Sequence, residues 1–93
     1  MKKKIIKLSE RESMLRRERM CWLNMRASAN DILFELMFRS DRLTDQGTRP
    51  DPDVINDIIA INGDIVRYDN IITRYNARIE NTTEEIQTLV NTA

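Results

Sequence analysis

Cys21 carries the only thiol in the chain, and no histidine is near it in sequence to act as its base. Its neighbour is Trp22, and the sequence holds no second cysteine and no histidine. A reactive thiolate needs a base, a cation or a helix N-terminus to lower its pKa, and a zinc site needs further thiolates or imidazoles. The expectation is a buried, inert thiol with no disulfide and no cysteine-based metal site. The carboxylates Asp41, Asp45, Asp51, Asp53 and Asp57 gather around one short segment. Their spacing does not follow a calcium-binding loop, and Pro50 and Pro52 stiffen the backbone there. They read as helix caps and solvated acids. The two glycines, Gly47 and Gly63, sit in no phosphate-cradling pattern. The chain is therefore expected to be non-enzymatic, with no catalytic residue, no metal and no cofactor. Asn81-Thr82-Thr83 matches a glycosylation acceptor, which has meaning only in a secreted chain.

Charge bounds the partners. The 93 residues carry 15 Lys/Arg and 15 Asp/Glu, so no global field draws the chain to nucleic acid or membrane. The charge is unevenly placed: residues 1–50 hold twelve basic against seven acidic side chains, a net of +5, and residues 51–93 hold three against eight, a net of −5. The opening "MKKKIIKL" has the basic start of a signal peptide, but its apolar fragment is cut short by Lys7 and no small-residue cleavage site follows. No stretch approaches the roughly 18 apolar residues of a membrane span. A cytoplasmic location, or one within a macromolecular assembly, is expected. The "RRERM" stretch interleaves Glu10, Glu12 and Glu18 with arginine, which reads as a salt-bridged face rather than a nucleic-acid arm. Nucleic-acid binding through the basic N-terminal half is the most distant of the functional readings.

The elements that carry these residues are two helices. The breakers cluster in "QGTRPDPD". Gly47 suits the position just past a helix C-terminus, Asp51 is an N-cap, and Pro52 then falls at the first helical position, where its missing N–H costs nothing. Upstream, Ser9 and Glu12 have the S-x-x-E spacing of a capping box. The expected layout is a basic flexible tail over 1–8, helix 1 over 9–46, a turn at 47–51 and helix 2 over 52–91. The tail, if extended as "KKIIKL", would add to the edge of a partner's sheet.

Isoleucine recurs every seventh residue at 58, 65, 72, 79 and 86, with Val54, Ile61, Tyr68, Tyr75, Thr82 and Leu89 at the alternate position. This is the seam of a helix that winds around a neighbour. A strand would need period two, which the polar residues between 56 and 78 do not keep. On helix 1, Leu8, Leu15, Trp22, Ala29, Leu36 and Leu43 mark one seam position; Met25 and Ile32 are read as the second, with Arg11, Glu18 and Arg39 interrupting it. Two helices near 55–60 Å, at 1.5 Å per residue, joined by a short turn must lie antiparallel. Folding at the turn is expected to set Arg16, Arg17 and Arg19 opposite Glu80, Glu84 and Glu85.

A hairpin buries one stripe per helix, and both helices carry more apolar surface than that. Met20, Leu23, Ala27, Phe34, Met37 and Phe38 lie outside the seam of helix 1, and Ile55, Ile59, Val66 and Ile71 flank that of helix 2. Left exposed, they exceed the patch a solitary soluble chain tolerates. The fold class is thus all-α: an antiparallel two-helix coiled-coil hairpin, completed into a bundle by self-association or by a partner. The predicted partner-binding residues are Trp22, Phe34, Met37 and Phe38, with Ile55, Ile59 and Val66 as a second contact. Two functional readings follow. One is a structural or assembly subunit, such as a virion or secretion-machine component of phage or bacterial type. The other is a small helical inhibitor or chaperone that sequesters one protein. "RPDPDVINDI" resembles the proline–aspartate turn of type III secretion needle subunits over about ten residues, within the common plan of a helical hairpin. The basic N-terminus and the long first helix depart from that family.

Overall fold

A computed structural model describes residues 2–47, 49 and 51–92. It contains α1, Lys2–Asp45, and α2, Pro52–Thr92, packed against each other as an all-α helical hairpin. The turn obeys its local chemistry. Gly47 adopts φ +73°, a conformation that costs glycine nothing, and its N–H donates to the Thr44 carbonyl at 2.9 Å. The Asp51 carboxylate accepts from the Asp53 N–H at 3.0 Å, an N-cap that satisfies one orphan donor of α2, and Pro52 opens the helix. The stiffening expected of Pro50 falls outside the described residues.

The start of α1 corrects the sequence reading. Residues 2–8 are helical, so they are neither a free tail nor an extended segment, and Ser9 is not an N-cap. The reason is burial. Leu8 is buried and Ile5 half-buried, so continuing the helix extends its packed stripe, a larger gain than one capping bond. Glu12 turns to Arg16 at 3.1 Å and to Thr83 at 3.0 Å instead of closing a capping box.

The chain divides into two compact units. Unit 1 joins Met1–Leu23 to Asn70–Ala93, and unit 2 is Asn24–Asp69. In unit 1, Leu8, Leu15, Ile72 and Ile79 are buried, Leu15 completely, together with Thr82, whose hydroxyl donates to the Arg78 carbonyl at 2.8 Å. In unit 2 only Ala29 and Val54 reach that degree of burial among the described residues. Gly63 lies in α2 of this unit at an exposed helical position, and a Cβ built on it meets nothing within 4 Å. No neighbouring backbone among the described residues approaches it. Gly63→Ala is therefore expected to stabilise the fold by about 0.5–1 kcal/mol, read as a higher urea midpoint with an unchanged slope. A lower midpoint would show that the glycine serves a close contact with another molecule.

Candidate interaction surface

The burial pattern of α2 follows the predicted heptads: the isoleucines at position a and Val54, Ile61, Tyr68, Tyr75, Thr82 and Leu89 at position d are all buried or half-buried. On α1 the d series Leu8, Leu15, Trp22, Ala29, Leu36 and Leu43 is likewise turned inward, but the second series differs from the expected one. Met25 and Ile32 are exposed. The inward positions are Ile5, Glu12, Arg19, Arg26, Leu33 and Ser40, four residues after each d residue and not three. Apolar identity favoured Met25 and Ile32; the geometry of the facing helix favours residues with a partner there. In unit 1, Arg19 donates to Asn76 Oδ1 at 2.9 Å and Glu12 accepts from Thr83. In unit 2, Arg26 makes a two-pronged pair with Asp69. Glu12, Arg19 and Arg26 are seven residues apart, as are Thr83, Asn76 and Asp69 in the opposite chain direction. That matched spacing was the signal in the sequence, and an apolar-only search passes over it.

Trp22 belongs to this seam in unit 1. It is half-buried at a d position, and its indole and the Glu18 carboxylate both meet the Tyr75 hydroxyl, which donates to Glu18 at 2.8 Å. The bond to Glu18, with burial, holds the Tyr75 phenol above its usual pKa, and Arg78 lies over the ring at 5.8 Å. The expected facing of Arg16, Arg17 and Arg19 to Glu80, Glu84 and Glu85 is not formed. Arg16 is engaged within its own helix and Arg19 with Asn76, while Lys4 shares a shallow hollow with Glu84 and Glu85. Register and rotation set which charges meet: by the Glu12–Thr83 and Arg19–Asn76 pairs, Glu84 and Glu85 lie level with residues 10–11, and Glu80, level with Leu15, sits at an outward b position. Cys21, expected to be buried, is exposed: it precedes the inward Trp22 by one residue, a rotation of about 100° around the helix.

The other six predicted contact residues all lie in unit 2 and all face solvent. Phe34 keeps 75% of its surface exposed, Phe38 62% and Ile59 64%, with Met37, Ile55 and Val66 also open. Around a heptad helix, positions e and b follow a on one side of the seam, and g and c follow d on the other. In unit 2 the a residue Arg26 meets the e residue Asp69, while Met25 and Ile32 at g line a hollow with Ile61, Tyr68 and Asp64. The e and b positions of both helices therefore share one side of the unit. Phe34 and Met37 of α1 and Ile55, Ile59 and Val66 of α2 occupy it, the last three within about 40° of arc. Phe38 borders it and lines a hollow with Phe34, Met37 and Asp41. The two stripes read separately from the sequence thus form one apolar face. Unit 2 exposes eight large apolar side chains while burying two apolar ones, which is a core lacking a wall.

Among the described residues no group of three His, Cys, Asp or Glu side chains is placed to hold a metal ion, and no helix is long and apolar enough to cross a membrane. No protein family, curated protein or solved structure matches the chain.

Proposed function

We propose that this chain is a non-enzymatic assembly subunit, whose docking surface is the e/b side of unit 2. The observation that carries this is the exposure of most of the surface of Phe34 and Phe38 beside Met37, Ile55, Ile59 and Val66, in the unit with the least buried core. Covering one such side chain is worth about 1.5–3 kcal/mol, so a face of five with Phe38 at its border supports docking by another apolar helical surface. Surface area points the same way. The chain exposes 7194 Å² at 11.0 kDa, against about 5,600 Å² for an average folded monomer of that mass. An interface of ordinary size removes roughly 800 Å² per partner. A coiled-coil bundle completed by docking is the arrangement this favours, with Trp22 committed to the seam of unit 1 and outside the docking face.

The test is light scattering on a sizing column across micromolar concentrations, with circular dichroism on the same samples. The native chain is expected to form a discrete oligomer. Phe34→Ser with Phe38→Ser is expected to leave the helical signal unchanged, since neither ring is packed, and to shift the oligomer to monomer. A cooperatively folded native monomer at high micromolar concentration, or an oligomer indifferent to the double substitution, would overturn the reading.

A further inference from the structure

The e and b rows that form the face of unit 2 carry no charge along their middle. On α1 they read Ala27, Asn30, Phe34 and Met37, and on α2 Ile55, Ile59, Asn62 and Val66, all of them exposed. Asp41 closes one end, and Asp69, already engaged by Arg26, closes the other. The Arg26–Asp69 pair also sets the levels: Phe34, eight residues after Arg26, stands level with Ile61, eight residues before Asp69. Counted in the same way, Ala27 stands level with Tyr68, Asn30 with Ile65 and Met37 with Ile58. Each row residue of α1 is then within about 5 Å, measured along the axis, of its own kind on α2. Ala27 is near the level of Val66, Asn30 of Asn62, Phe34 of Ile59, and Met37 falls between Ile55 and Ile59. The two rows complement each other, apolar with apolar and amide with amide.

A two-fold axis running along the face, parallel to the helices, keeps every residue at its own level and lays α1 of one copy on α2 of the other. We infer that the occupant of the unit 2 face is unit 2 of a second copy of this chain, placed by such an axis. Phe34 of each copy then seats beside Ile59 of the other, and Asn30 beside Asn62. The inference rests on the docking face proposed above and adds its partner and its orientation. The exposed area suits a dimer. At roughly 200 Å² for a whole large side chain, the five apolar residues of the face and Phe38 present on the order of 700 Å² per copy, close to the roughly 800 Å² per partner of an ordinary interface. The contact is isologous and closes at two copies. Charge selects the axis. The outward rows of α1 in unit 2 carry Asp31, Glu35, Asp41 and Asp45 against Arg42 alone, and a crosswise axis would set these rows against one another. The parallel axis sets them against α2, whose outward rows bring Arg67 with Asp53 and the engaged Asp69. Unit 2 holds five Lys/Arg against nine Asp/Glu, a net of −4, so a residual repulsion between copies remains for salt to screen. Asparagines enclosed between the copies penalise any register in which they lose each other.

Single thiols test it. Ala27 and Val66 are exposed, face each other across the proposed contact, and each lies across the bundle from its own counterpart. With Cys21→Ser as background, chains carrying Ala27→Cys or Val66→Cys are oxidised separately and as an equimolar mixture. The mixture is expected to give at least about fivefold more disulfide-linked dimer than either chain alone, because only unlike thiols come within bonding reach. Sedimentation equilibrium at about 0.05 and 0.5 M salt is expected to show tighter native assembly at the higher salt. Suppose the assembly still answers to Phe34→Ser with Phe38→Ser, but the mixture links no better than the separate chains, or the native assembly loosens with salt. Either result overturns the pairing of like units while leaving the docking face in place. Absence of any native assembly overturns both.

Discussion

Leu15→Ala is expected to lower the thermal midpoint of helix loss by at least about 8 °C, the largest effect of any single truncation in this chain. Leu15 is the one large side chain with no exposed surface among the described residues, at a d position of α1 in unit 1. Removing buried methyl and methylene groups there costs about 2–5 kcal/mol, as lost transfer energy plus the cavity left behind. Native domains of ordinary size are stable by only 5–15 kcal/mol. Unit 1 has just four buried apolar residues among those described, Leu15 included, so little remains to compensate. A domain of this size shifts by roughly 4–8 °C per kcal/mol. Circular dichroism at a fixed protein concentration checks the prediction, because an assembling chain has a concentration-dependent midpoint. A shift of only a degree or two would mean that the seam of unit 1 contributes little to the helical state.

Arg19→Leu should do the reverse and raise the urea midpoint, by about 1–3 kcal/mol of stability. Arg19 occupies an inward a position between Leu15 and Trp22, and only its terminal guanidinium reaches Asn76. Its Nε is buried with no hydrogen-bond partner. An unsatisfied buried donor costs roughly 1–3 kcal/mol, and an apolar side chain in the same place adds burial. Asn76 is exposed, so water replaces the bond it loses. A lower midpoint in the variant would show that the Arg19–Asn76 contact is a net stabiliser. If the variant is more stable, the polar seam positions Glu12, Arg19 and Arg26 must be explained by what they specify. A polar residue at a seam position penalises every register in which it lacks its partner. The Leu variant is then expected to sample more than one oligomer on the sizing column, whereas the native chain gives one.

The predictable parts of this protein were those encoded within a few residues of one another. Gly47, Asp51 and Pro52 each act through local backbone geometry, and the helix ends beside them agree with the sequence reading to within a residue. The isoleucines of α2 repeat a single apolar type at one interval, so the seam needs no knowledge of its neighbour. The second seam of α1 does need it. Glu12, Arg19 and Arg26 turn inward because Thr83, Asn76 and Asp69 stand opposite them, and those partners are 71, 57 and 43 residues away in sequence. Lys2 to Leu8 are helical for a similar reason: a distant surface receives Ile5 and Leu8, which outweighs the local capping motif that begins at Ser9.

The sequence by itself determined two helices, their turn, the seam of α2 and the excess of apolar surface, because periodicity and capping are properties of a single segment. Only the tertiary structure decided that Phe34 and Met37 share a side with Ile55, Ile59 and Val66, that Trp22 is spent inside unit 1, and that Cys21 is exposed. It also converted a basic helix and an acidic helix, +5 and −5 by halves of the chain, into a basic unit and an acidic unit of +4 and −4. Position along a chain says which residues follow one another; the register between two antiparallel helices says which surfaces and charges stand together.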